Sequence, residues 1–279
     1  MHHHSESLIR DLQERARQIR LDVLDMVYRR AAGHPGGSFS CAEMLAALYF
    51  HHLKIDPARP DWPERDRFLL SKGHAAAALS SALAQRGFFP AEDLERWGHV
   101  GAHLQGHPDR LKTPGVEMSS GFLGHGLSVA VGMALAEKVL AGQFNKPGHE
   151  IVNHRTYVFL GDGCLMEGIS HEACSFAGAL GLGKLICFYD DNNISIDGEV
   201  RGHGNTPAWF LDDTPKRFEA YGWHVIPKVD GHDPEAIKAA IEVARAMDGK
   251  PSLICCQTII GFGSPNKQGK EDCHGAPLG

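Results

Sequence analysis

The sequence predicts a single α/β domain built on a doubly wound, mostly parallel sheet with helices on both faces. Three observations carry that reading. Short continuous apolar runs recur in the second half, at Thr156 to Leu160, Leu185 to Tyr189, His224 to Val229 and Ser252 to Ile259, and such runs suit strands buried on both faces. Segments of helical period separate them, the alternation expected of a parallel sheet with crossover helices. The 279 residues show no internal repeat, low-complexity tract or linker composition, so one large domain accounts for them.

Residues 1–7, with His2 to His4, are set aside as a tag remnant or disordered start, and residues 8–279 form the predicted domain. From Leu8 to Ala32 the positions Leu8, Leu12, Ile19, Val23 and Val27 recur at helical spacing, with Gly33 as the stop. Gly33-His34-Pro35-Gly36-Gly37 is expected to be non-helical, and Ser40 with Glu43 has the form of a capping box opening a second helix to about Leu53. A strand over Phe68 to Leu70 runs into Ser71-Lys72-Gly73-His74, followed by an alanine-rich helix that stops near Gly87. After a stretch rich in Gly, His and Pro, a helix covers Leu127 to Leu140; later helices begin near Leu165 and span Pro234 to Met247.

Composition narrows the function classes. With 43% hydrophobic and 22% charged residues the chain has the balance of a globular protein. No apolar run approaches the roughly 18 to 20 uncharged residues of a membrane span, and no charged-then-apolar leader is visible, so no membrane partner and a cytoplasmic location are expected. The net charge of −6 comes without a Lys or Arg run, which argues against nucleic acid as a partner. Seven scattered cysteines without a CxxC pair read as reduced core thiols.

In such sheets ligands bind beyond the carboxyl ends of the strands. Gly161-Asp162-Gly163 follows one strand and Asn192 follows the next, 30 positions on, about one βαβ unit. Either alone reads as a turn. Together they place a carboxylate and an amide oxygen on one rim. With a backbone carbonyl such as that of Ile194, they suit Mg²⁺, with Ca²⁺ or Mn²⁺ as alternatives, the coordination completed by diphosphate oxygens and water. Gly163 lets the backbone approach phosphates, and the following helix offers free N–H groups.

That spacing resembles the thiamine diphosphate motif, and from about Arg20 to Gly279 the chain resembles transketolase. GHPGGSFSCAEML, LSKGHAAAAL, LQGHPD and KTPGVEMSSGFLGHGLSVAVGMAL look like the N-terminal subunit of two-gene transketolases. GDGCLMEGISHEACSFAG, FYDDNNISIDG, RFEAYGWHV, TIIGFGSPNK and HGAPLG are similar to single-chain bacterial ones. The resemblance implies the diphosphate-binding domain of the thiamine diphosphate fold and transfer of a two-carbon ketol unit between sugars. It implies that His34, His107 and His274 serve substrate chemistry, and that His74, Gly121, Phe122, Leu123, Gly163, Asn192 and His274 hold thiamine diphosphate. Asp162, Asn192 and the Ile194 carbonyl take the metal. Imidazole suits such chemistry because each half-reaction moves a hydroxyl proton near neutral pH.

Phe122, His125 and Asn193 stand where the single-chain family usually has Pro, Gln and Gly, and Glu199 to Phe210 is a longer loop. Glu167 resembles an acidic residue of the family's subunit contact, while His125, His149, His154, His171, His203 and His232 are assigned no role. The family's pyrimidine-binding domain, with the glutamate that activates the cofactor, has no counterpart in these residues. The resemblance therefore implies a C-terminal partner subunit in a heterotetramer, acting on sugar phosphates. A non-catalytic cofactor-binding fragment, or a dihydroxyacetone or deoxyxylulose phosphate synthase, is the alternative.

Overall fold

The computed structural model describes residues 2–201 and 210–278. Five strands, β1 (Arg67–Leu70), β2 (Thr156–Gly161), β3 (Leu185–Asp191), β6 (His224–Asp230) and β7 (Ser252–Gln257), form one sheet in the order β1-β2-β3-β7-β6; β4 (Ile194–Ser195) and β5 (Gly198–Glu199) make a separate hairpin. Every pairing in the five-stranded sheet is parallel.

Alternate strand residues feed two cores. Tyr157, Phe159, Ile186, Phe188 and Ile254 share one with Leu12, Ile19, Leu45, Leu83 and Ile241. These come from α1 (His2–Arg30), α3 (Ala42–Ala47), α4 (Ala76–Arg86) and α9 (Pro234–Arg245). Val158, Leu160, Leu185, Cys187 and Leu253 share the other with Leu127, Val131, Cys174 and Phe218, from α5 (His125–Phe144), α7 (Gly168–Ala179) and α8 (Thr214–Ala220). Because both sheet faces are covered, the inner positions of β1, β2, β3 and β7 are apolar. All seven cysteines are buried and free, and burial pushes the Cys41 thiol up to about 11.

Several boundaries differ from the sequence expectation. Helix α1 begins at His2, so the expected disordered start is largely helical; neither Gly nor Pro interrupts the chain before residue 33, and Arg10 pairs with Glu6 one turn back, at 3.7 Å. The Gly-His-Pro-Gly-Gly segment is not a plain loop, because Pro35 opens a buried helix, α2 (Pro35–Ser40). Proline suits a first helical turn, and burial offsets the glycine cost: a Cβ on Gly36 would strike the Cys273 carbonyl and lie 2.9 Å from Ile260. Ser40 caps nothing. Its hydroxyl donates to Asp190 at 2.6 Å, with the Gly37 carbonyl also near at 3.1 Å, while Glu43 accepts from Arg20 at 2.5 Å. A π turn over Leu48–His52 follows α3.

Further on, α6 (Asp162–Met166) starts at Asp162 itself rather than near Leu165. Strand β6 bulges between Ile226 and Val229, where Pro227 cannot donate and Lys228 takes φ +56°, an irregularity an edge strand tolerates. Among the described residues α5 is the one helix long and apolar enough to cross a membrane. It lies along the sheet with Leu127, Ala130 and Val131 buried, and Glu137, also buried, accepts from Lys184 at 2.5 Å.

Candidate active site

The carboxyl ends of β1, β2, β3 and β7 open onto one cavity of about 300 Å³. His34, His74, Gly121, Leu123, Asp162, Gly163, Asn192, Ile194 and His274 all line it, so nine of the predicted positions converge from segments far apart in sequence. His107 lies just outside, its ring centroid 6.3 Å from that of His34. Phe122 does not line the cavity. It sits between two residues that do, and is 78% exposed, its ring centroid 5.5 Å from that of His125.

Parallel register explains the metal side. Gly161 pairs with Asp190, so Asp162 and Asn192 leave adjacent strand ends. Asp162 is 3% exposed; its Oδ1 accepts from the Tyr189 hydroxyl at 2.5 Å and lies 3.5 Å from Arg201, while Oδ2 is buried without a hydrogen-bond partner. Burial raises the carboxyl pKa to about 7, against the Tyr189 hydrogen bond and the Arg201 charge, which lower it. A buried, unpaired carboxylate oxygen facing a cavity is what a hard cation would satisfy. Asn192 Oδ1 accepts from the Ile194 N–H at 3.0 Å, which folds the loop so that Ile194 lies beside it. Asn193 takes φ +62°, a left-handed conformation that glycine adopts freely and asparagine tolerates, so the departure from the family's usual Gly is accommodated. A Cβ at Gly163 would stand 2.8 Å from Leu123, so glycine keeps Leu123 in the cavity wall.

The histidines form the other side. His74 and His274 have ring centroids 5.0 Å apart, and His34 is 5.4 and 5.7 Å from them. Burial first, and then neighbouring positive charge, keeps all three neutral: His34 is lowered, His74 falls well below its ordinary value, and His274 drops to about 4. The Nδ1 of His274 is buried without a partner. Neutral imidazoles can accept a proton near pH 7.

The segment that follows β7 is held by His232, one of the histidines given no role from sequence. Its Nε2 accepts from the Ile259 N–H at 2.9 Å, Nδ1 meets Glu43 at 3.2 Å, and its ring stacks on Phe262 at 3.7 Å. Lys72 and Asp190, unassigned from sequence, form a buried ion pair in the cavity floor. Burial alone would lower the Lys72 pKa, but attraction to Asp190 outweighs it and the net shift is upward.

The family model described as "Transketolase, thiamine diphosphate binding domain" matches residues 12–279. The chain belongs to the transketolase family. It is 58% identical over 265 residues to transketolase 2 of Aliivibrio fischeri, and 57% identical over the same length to transketolase 1 of Vibrio cholerae, covering 95% of this chain and 39% of each relative. Among solved structures it superposes on transketolase from Leishmania mexicana with TM-score 0.91 at 44% identity. It also matches the Pichia stipitis transketolase complex with sedoheptulose-7-phosphate, TM-score 0.91 at 43% identity; each comparison spans 96% of this chain and 39% of the other. The sequence thus spans about two fifths of a transketolase and contains the family's thiamine diphosphate-binding domain. The cavity rim carries Glu167, which is exposed.

Proposed function

We propose that this chain forms the diphosphate-binding part of an active transketolase, binding thiamine diphosphate with Mg²⁺ and transferring a two-carbon ketol unit from a ketose phosphate to an aldose phosphate. The observation that carries this is one cavity bounded by an unpaired Asp162 carboxylate oxygen and Asn192 on one side and three neutral histidines on the other. Asp162, the Asn192 amide oxygen and the Ile194 carbonyl are the metal donors in this reading, with Ca²⁺ or Mn²⁺ as substitutes. Thiamine diphosphate, when bound, supplies the carbon nucleophile and the electron sink for C–C cleavage.

The chain's own residues bind and move protons. His74 and His274 would hold the diphosphate, and the Nδ1 of His274, buried without a partner, is left free for a hydrogen bond to it. His34, with His107 behind it, takes the proton of a substrate hydroxyl and returns it; its lowered pKa leaves it a base at neutral pH. The pyrimidine-binding part, on a partner subunit in a heterotetramer, would complete the site. Exposed apolar side chains support such an interface: Val129, Val139, Leu140 and Phe144 on α5, and Ile169 and Phe176 on α7.

In the assembled enzyme, His34→Ala and His274→Ala should each lower turnover by roughly 10² to 10⁴, the range of a positioned acid or base. Calorimetry should show cofactor affinity falling mainly for the His274 change. Ketol transfer within a factor of two of wild type in both variants would remove their assigned roles.

A further inference from the structure

Asp190 stands two residues before Asn192, at the end of β3, and is 1% exposed. Its carboxylate takes four donors from four segments: the Ser40 hydroxyl at 2.6 Å, the Thr258 hydroxyl, the Lys72 ammonium, and the Asn192 Nδ2 at 3.2 Å. Ser40, Lys72 and Asn192 meet Oδ2 and Thr258 meets Oδ1, and a carboxylate only accepts, so nothing at this position can donate back to Asn192. Lys72 reaches it from the β1 end by crossing over Gly161, whose Cβ, were there one, would lie 3.8 Å from the lysine chain, and it also donates to the Gly37 carbonyl at 2.7 Å.

The consequence falls on the amide of Asn192. An asparagine has an oxygen end and a nitrogen end of nearly the same shape, and only the oxygen end can ligate a cation. With Nδ2 bound to Asp190, Oδ1 is turned away from it, where it accepts from the Ile194 N–H through one lone pair and keeps the other. We propose that Asp190 is a positioning residue that selects the oxygen end of Asn192 for the metal, with Lys72 as its fixed counter-cation. This rests on the metal-site reading above and assigns a role to two residues that touch no cation themselves. Groups that orient metal ligands typically influence metal affinity by about 10- to 100-fold.

Removing Asp190 alone would strand the Lys72 charge in the interior and endanger the fold. The test therefore compares, alongside wild type and each assembled with a chain carrying the pyrimidine-binding domain, two variants of equal charge: Asp190→Asn with Lys72→Met, which keeps an acceptor at 190, and Asp190→Val with Lys72→Met, which removes it. Thiamine diphosphate is titrated calorimetrically at a series of Mg²⁺ concentrations, with thermal melts as the folding control. The valine pair should need at least about tenfold more Mg²⁺ than the asparagine pair for half-maximal cofactor binding. Equal Mg²⁺ requirement in two folded variants would overturn the inference alone. No Mg²⁺-dependent binding by wild type would overturn the metal-site reading and the inference with it.

Should the valine pair fail to fold, the wild-type chain decides the matter by NMR. The Asn192 side-chain amide, assigned by its loss in Asn192→Ala, should exchange with solvent at least about tenfold more slowly than the exposed Asn266 amide, because its nitrogen is held on a buried carboxylate. Exchange at the rate of Asn266 would overturn the inference.

Discussion

Asp162→Ala is expected to abolish Mg²⁺-dependent binding of thiamine diphosphate while leaving the fold intact. Asp162 is the one charged side chain in the proposed ligand set, and its Oδ2 is buried and unpaired, so the native chain already bears a desolvation cost that the alanine removes. The loss on the other side is small: the Tyr189 hydroxyl gives up its acceptor, worth about 1 kcal/mol, and keeps Arg201 at 3.0 Å. The melting temperature should therefore change little while calorimetry shows cofactor binding gone.

The same residue sets a pH dependence. Burial raises the Asp162 pKa to about 7, so without metal the carboxyl holds its proton below that value. Metal binding must displace this proton. Affinity for Mg²⁺ should accordingly rise with pH up to about 7 and level off above, falling on the order of tenfold for each unit below. Asp162→Asn should bind weakly and show no such slope from this group. Wild-type affinity in the alanine variant would remove Asp162 from the metal site.

How much of this was legible in the sequence depends on the range of the interaction involved. Strands β2, β3 and β7 were readable because a strand covered on both faces has to be apolar at every position, which leaves a local mark. Asp162 and Asn192 were readable because residues at the ends of adjacent parallel strands meet whatever the intervening helix does. Helix α2 was not, since Gly-His-Pro-Gly-Gly has poor helix propensity, and what holds it is packing against Cys273 and Ile260 near the other end of the chain.

Lys72 and Asp190 left no local mark either. A lysine in a turn and an aspartate in a run of polar residues read as solvated, and their pairing appears only when β1 and β3 are set on either side of β2. Phe122 is a different case: Gly121 and Leu123 line the cavity while Phe122, in the bend between them, is exposed, and nothing in the sequence separates the three.

These 279 residues by themselves should show no ketol transfer, and activity should appear only when a pyrimidine-binding domain is supplied. In the proposed reading, Asp162, Asn192, His74 and His274 of the cavity lining would hold one end of the cofactor, the diphosphate end. Among the described residues its lining offers Glu167 at an exposed rim, but no buried glutamate that could serve as proton partner to an aminopyrimidine. These 279 residues span 39% of each relative's length. Without the remainder, the cofactor would gain only the diphosphate contacts, and loss of the other half should weaken binding as well as chemistry. Size-exclusion chromatography with and without a chain carrying the pyrimidine-binding domain, followed by a coupled ketol-transfer assay on each fraction, tests both parts. Activity confined to the co-eluting fraction is the expected result. Full activity from the 279 residues alone would mean that one of their own side chains activates the cofactor, and the need for a second part would have to be given up.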